Sequence, residues 1–184
     1  MTPFALHTLD TAPEASQALL AKSKAAFGMV PNLHAVMAES PELLDAYQRV
    51  HELFVNSSLN NEELTVVWQT VNVEHECHYC VPGHTGIAKS MGVDDAITEA
   101  LRNETPLEDE RLEALRTFTL AVVRDRGNVS DDKVDAFLNA GFTKQNILEV
   151  ILGVAQKVMS NFTNHFAKTP IDAPFQSMAW QKAS

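Results

Sequence analysis

The two cysteines of the chain, Cys77 and Cys80, stand three residues apart, and His84 follows the second by four. Thiol redox chemistry needs those three parts: a sulfur that attacks as thiolate, a second sulfur to close a disulfide, and a group that moves the proton. Residues three and four apart share a helix face. A helical Cys77–His84 segment therefore brings the thiols together and sets the imidazole one turn from Cys80. Neutral His84 takes the thiol proton, and its imidazolium stabilises the thiolate. If the helix instead starts near Cys80, Pro82 falls in the first turn, where its missing N–H removes no bond. Unpaired backbone N–H groups there favour the thiolate further. Glu63, Glu74 and Glu76 are the nearby carboxylates able to orient the imidazole as in a relay. Tyr79 is a candidate hydrogen-bond donor in the pocket, with packing as its competing role.

Three other readings of the motif compete. Structural zinc would draw on Cys77, Cys80 and His84 with His75 or His78, but closed sites take a second ligand pair from a distant segment, and no further cysteine exists. Haem attachment requires histidine directly after the second cysteine, where Val81 stands. A buried pair of inert thiols is the plain alternative. Trp68 and Met91 read as core, and His51 and His165 as packed or hydrogen-bonded histidines.

Positioning these groups falls to helices. Thr11-Ala12-Pro13-Glu14 opens one that Gly28 stops, and Ser40-Pro41-Glu42 opens another. Asn60 with Glu63 forms a capping box before Leu64, Val67, Trp68 and Val71, whose spacing favours helix over the strand that the Val and Thr content suggests. Asp94 opens a short helix, Thr105-Pro106-Leu107-Glu108 a long one ending at Gly127, and Ser130-Asp131-Asp132 the next. Thr143 opens the last, through Ile147, Val150, Ile151, Val154, Val158, Phe162 and Phe166, and Pro170 and Pro174 mark an irregular tail. No alternating β pattern, flexible linker or low-complexity tract interrupts the series. The expectation is an all-α fold: one domain over residues 1–184, a redox motif at 74–92 and an irregular tail at 169–184.

Composition agrees. A chain of 184 residues, 45% apolar and 21% charged, fits one domain with a sizeable core. Its formal net charge of −10, with no basic run, argues against nucleic acid and anionic membranes as partners. The amino terminus, Met1 to His7, lacks the charged and apolar stretches of a secretory signal, and no apolar run approaches a bilayer span. A cytoplasmic protein is expected, where a cysteine pair is catalytic or metal-binding rather than structural.

From Cys77-His78-Tyr79-Cys80-Val81-Pro82-Gly83-His84-Thr85, with Phe27-Gly28-Met29-Val30-Pro31-Asn32-Leu33 and Ser40-Pro41-Glu42-Leu43-Leu44, the sequence resembles the alkylhydroperoxidase D-like branch of the carboxymuconolactone decarboxylase superfamily, in particular its peroxidase-related members. The resemblance implies a compact helical bundle, a homo-oligomer (trimer or hexamer), no metal or organic cofactor, and a thiol peroxidase acting on a hydroperoxide with a dithiol reductant, small molecule or protein. By position it makes Cys80 peroxidatic, Cys77 resolving and His84 the proton relay. The glutamate that the family carries twelve residues before the first cysteine is Thr65 here, which leaves Glu63, Glu74 or Glu76 to substitute. Lactone-acid decarboxylation or isomerisation by His84 and a glutamate is the superfamily's other activity. A redox-sensing oligomer without turnover is the non-enzymatic alternative.

Overall fold

Buried on nearly every side, one helix organises the rest. The computed structural model describes residues 4–182, so the readings placed on Met1 to Pro3 and on Ala183 and Ser184 lie outside it. Its elements are α1 (Glu14–Phe27), α2 (Asn32–Met37), α3 (Pro41–Val55), α4 (Asn61–Glu74), α5 (Cys80–Ser90), α6 (Asp95–Arg102), α7 (Glu110–Arg124), α8 (Asp131–Asn139), α9 (Lys144–Ala167) and a closing 3₁₀ helix, Ala173–Met178. No strand occurs among the described residues, so the fold is all-α.

The central helix is α4. Every residue from Glu63 to Val73 is buried, as expected of a helix covered on all faces; α5, α6, α7 and α9 pack around it. The predicted capping box fixes its start: Asn60 accepts from the Glu63 amide, and the Glu63 carboxylate accepts from the Asn60 amide. Phe54, Val66, Val67, Trp68, Leu115 and Phe137 form the larger core, and α1 to α3 close a second, smaller one that includes both cysteines.

Two elements differ from the sequence expectation. The six-residue α2 had no signal of its own. The long helix expected from Thr105 starts at Glu110, capped by Asp109, whose side chain accepts from the Leu112 amide; Leu107 is instead held as a loop by its amide bond to Glu113. The tail is ordered as well. Gly86 of α5 has Phe175 so close that a Cβ would sit 2.4 Å from its ring, so the missing side chain is what seats the 3₁₀ segment.

Another glycine does the same for α9. A Cβ on Gly153 would lie 2.7 Å from the Phe54 ring and 2.8 Å from Val67. Gly→Ala inside a helix ordinarily gains about 0.5–1 kcal/mol. Here we expect the opposite: Gly153→Ala costs about 1–3 kcal/mol through overpacking, seen as a lower urea midpoint at unchanged slope.

Candidate active site

The site begins where α4 ends. The Cys77 amide bonds back to the Asn72 carbonyl, and Glu76 takes the left-handed conformation (φ 54°) that this closure requires. The chain then makes a turn through His78 and Tyr79 before α5 starts at Cys80. Cys77 therefore lies outside the helix, and the sulfurs meet across a turn, not along a helical face. Of the two geometries open from sequence, this is the later start, with Pro82 in the first turn. The Cys80 amide donates to Cys77 Sγ at 3.3 Å.

Both thiols are free and buried, yet they are not equivalent. Cys80 lines a cavity of about 380 Å³, mostly apolar, and Cys77 sits behind it. Rings dominate the wall: Phe27, His34, Tyr47, His51, His84 and Phe175. Burial pushes the Cys80 thiol up, but the Cys77 S–H, the Lys157 charge and the amides of Asn161 and Asn164 outweigh it and bring Cys80 down to about 6. Asn164 Nδ2 donates to Cys80 Sγ at 3.2 Å and reaches Cys77 Sγ at 3.9 Å. Cys77 moves the other way: giving its proton to the Cys80 sulfur, burial and the Cys80 charge all raise it. The first-turn amides of α5 are already committed, that of Cys80 to Cys77 Sγ and that of Val81 to the Cys77 carbonyl.

His84 shares the cavity wall but makes no hydrogen bond to either sulfur among the described residues. Its Nε2 is 2.8 Å from Lys157 Nζ, and its Nδ1 is buried without a partner. Burial, then the charge of Lys157, hold the ring well below its ordinary value, so it is neutral. In place of the imidazolium expected beside Cys80 stands a neutral ring hydrogen-bonded to Lys157. His34 and His51 on the same wall are likewise neutral, each lowered to about 4, first by burial. His51 is hydrogen-bonded to Gln156 Nε2 at 2.9 Å, as expected of a packed histidine, whereas His165 is exposed.

None of the three candidate glutamates reaches His84. Glu63 is occupied by the α4 cap and by Arg111. Glu74 holds Arg124 through both oxygens at 2.8 and 2.7 Å. Glu76 points to solvent, with Lys182 at 3.7 Å. Each has found a cation or a cap outside the cavity, which a carboxylate does more cheaply than entering an apolar one unpaired. Tyr79 does enter the wall: its hydroxyl donates to Asp172 Oδ2 at 2.6 Å and accepts from the Leu33 amide at 3.1 Å. The buried Asp172 also accepts from the Asn32 amide at 2.9 Å, so the tail ties α2 to the motif.

What sequence reasoning missed is the inner face of α9. Gln156, Lys157, Ser160, Asn161 and Asn164 are all fully buried. Asn161 Nδ2 donates to Asn72 Oδ1, Asn72 Nδ2 to Gln69 Oε1, and Gln69 Nε2 to the Val81 carbonyl, in steps of 3.0, 3.0 and 3.1 Å. This amide chain locks α9, α4 and α5 in one register. Spacing alone does reveal a polar stripe here, but such a stripe ordinarily faces water. Among the described residues no three His, Cys, Asp or Glu side chains converge as metal ligands.

Neither a protein-family model nor a curated protein sequence matches the chain. Solved structures do. An uncharacterized peroxidase-related protein with an alkylhydroperoxidase D core, from Ralstonia eutropha JMP134, superposes with a TM-score of 0.83 at 18% identity, over 95% of this chain and 96% of that one. A peroxidase-related protein from Silicibacter sp. TM1040 gives 0.78 at 20% identity, over 95% and 96%. A cysteine-to-alanine variant of the debrominase Bmp8, solved with 2,3,4-tribromopyrrole, gives 0.79 at 16% identity, over 96% and 95%. With this helix order and agreement along almost the whole length, the chain has the alkylhydroperoxidase D core fold.

Proposed function

We propose that the chain is a thiol peroxidase in which Cys80 attacks and Cys77 resolves. The observation that carries this reading is the asymmetry of the pair. Cys80 alone lines the cavity and is the sulfur held as thiolate near neutral pH, while Cys77 keeps its proton directly behind it. Thiolate attack on the O–O bond of a hydroperoxide gives Cys80 sulfenic acid and releases the alcohol. Cys77 then condenses with the sulfenic acid, releasing water and leaving a Cys77–Cys80 disulfide. A dithiol, small molecule or protein, restores both thiols. His84 belongs to the proton path through Lys157, and Tyr79 shapes the wall through Asp172.

The proposal includes self-association and a cytoplasmic setting with its reducing thiols. Leu148, Ile151, Phe162 and Phe166 of α9 are exposed large apolar side chains, the kind of surface that marks an interaction site. No helix among the described residues is long and apolar enough to cross a membrane.

The ring-lined wall favours a second reading: reductive removal of a halogen from an aromatic ring. In that reaction one proton replaces the halogen, halide leaves, and the two thiols close to the same disulfide. Bromide release from a brominated pyrrole, matched by disulfide formed, would select it over the first. The lactone reading is less well supported, since none of Glu63, Glu74 and Glu76 reaches His84.

Two outcomes test the proposal. Stoichiometric cumene hydroperoxide gives a Cys77–Cys80 disulfide within seconds by mass spectrometry. Under the same treatment Cys77→Ser stalls as a dimedone-trappable Cys80 sulfenic acid, and Cys80→Ser falls to the uncatalysed background. Equal rates in wild type and Cys80→Ser end the proposal. The pH dependence has a fixed sign: the thiolate is the reactive form, so alkylation of Cys80 by iodoacetamide slows as pH falls and is half-maximal at about pH 6, not near the value of an ordinary thiol.

A further inference from the structure

Lys157 is a fully buried lysine that lines the cavity together with Cys80 and His84. Leaving a charge in an apolar interior costs several kcal/mol unless it is paired and hydrogen-bonded, and a lysine on a surface-length helix ordinarily escapes by reaching for water. This one does not. Among the described residues Nζ makes one hydrogen bond, to His84 Nε2 at 2.8 Å. An ammonium has three N–H groups, so two remain uncommitted beside the cavity.

Its surroundings narrow what those groups do. The charges that act on Lys157 are those of the Cys80 and Cys77 sulfurs; Lys157 and Glu52 act on His51 of α3, and Lys157 and His51 on His84 of α5. Both histidines are neutral, for the reasons given above. No carboxylate pairs with Lys157 among the described residues. Asp172, on the same cavity wall, has its oxygens occupied by Tyr79 and the Asn32 amide. Glu52 also lines the cavity, but the charges that act on Lys157 are those of the two sulfurs, so the anion that balances the ammonium is the thiolate. Because an ammonium donor fills the Nε2 lone pair, the His84 proton sits on Nδ1, and the ring serves as an acceptor that aims Nζ.

We propose that Lys157 is the counter-ion of the Cys80 thiolate and the acid that protonates the group leaving as that thiolate attacks, with His84 positioning it. The second half rests on the peroxidase reading, which supplies the leaving group. The electron pair on Cys80 forms the S–O bond, the O–O bond breaks, and the alkoxide takes a proton from Nζ. Cys80 thiolate, hydroperoxide and Lys157 ammonium become Cys80 sulfenic acid, alcohol and Lys157 amine. The amine next accepts the Cys77 proton and returns it to the departing hydroxide, giving water and the disulfide. Reduction by a dithiol then delivers two protons, one to Cys77 and one back to Lys157, and the Cys80 thiolate re-forms. Burial lowers Lys157 while the two sulfurs oppose that shift, so the proton is held more loosely than on a solvated lysine.

Wild type and Lys157→Met are compared with three probes. Iodoacetamide reads the thiolate alone. tert-Butyl hydroperoxide has a leaving alkoxide that needs a proton. Peracetic acid releases a carboxylate that does not. We expect Lys157→Met to raise the half-maximal pH of Cys80 alkylation by at least about one unit. Per thiolate near neutral pH, it slows tert-butyl hydroperoxide about 100-fold and peracetic acid by less than about 3-fold. Lys157→Gln, which keeps a donor for His84 Nε2 but no acid, shows the same contrast and covers a failure of the Met variant to fold. A merely structural lysine slows both oxidants alike, and that result, or an unmoved alkylation midpoint, overturns the proposal. A wild type inert to both oxidants but with a Lys157-dependent midpoint removes the peroxidase reading and leaves the counter-ion role standing.

Discussion

A charge inside the protein governs this structure. Lys157 is fully buried, so an ammonium there must be balanced locally, and the surrounding helices bring partners to it. Its helix brings one amide donor, Asn164, to the same sulfur that faces it, and α5 brings the imidazole that accepts from it. The balance is mutual. Without the lysine, a thiolate in an apolar cavity would be a buried anion and would take up a proton. Without the thiolate, the lysine would lose its own. Each charge favours the other: Lys157 lowers Cys80, and the Cys80 charge opposes the lowering of Lys157 by burial.

The same constraint explains the inverted amphipathicity of α9. The half of α9 that presents an ammonium and several amides to the interior leaves less of that face for apolar side chains, which Val150 supplies nearer the start. Phe162 and Phe166 are left outside, along with Leu148 and Ile151. Inside, the amide chain through Asn161, Asn72 and Gln69 satisfies polar groups that would otherwise each cost about 1–3 kcal/mol, and it ends on the Val81 carbonyl, one residue past Cys80. Polar burial therefore buys geometry at the motif: the residues that hold the sulfurs are fixed by directional bonds, not by packing alone. The close approach of α9 to Phe54 and Val67 at Gly153 belongs to the same requirement.

How far the sequence went can be judged from particular residues. Helix ends were legible because caps are local: Ser40, Asn60, Asp94 and Thr143 each accept from the backbone of their own helix. Pro106 misled, because proline permits a helix start without requiring one, and Asp109 takes that place. The six-residue α2 is too short to show a period. At the site, local spacing found Cys77, Cys80 and His84, all within eight residues of one another. It could not find Lys157 or Asn164, more than seventy residues on, because one helical face of Gln, Lys, Ser and Asn looks the same whether it meets water or a cavity. The glutamates failed for a related reason. Nearness in sequence put Glu63, Glu74 and Glu76 on the list, but α4 carries Glu63 to its far end, and the left-handed turn at Glu76 throws its side chain outward.

The asymmetry of the two cysteines follows from how the chain enters α5. A helix running through both cysteines would put their sulfurs on one face, distinguished only by the nearness of His84 to Cys80. Ending α4 at Glu74, reversing at Glu76 and restarting at Cys80 breaks that arrangement. Cys80 opens α5 and lines the cavity, and Cys77 is left in the turn behind it, accepting from the Cys80 amide. A thiol in that position cannot meet a bulky substrate, but it remains adjacent to whatever forms on Cys80. The left-handed residue that makes the turn is a glutamate, not the glycine that would adopt it freely. The strain accepted there is thus part of what gives the two sulfurs different surroundings.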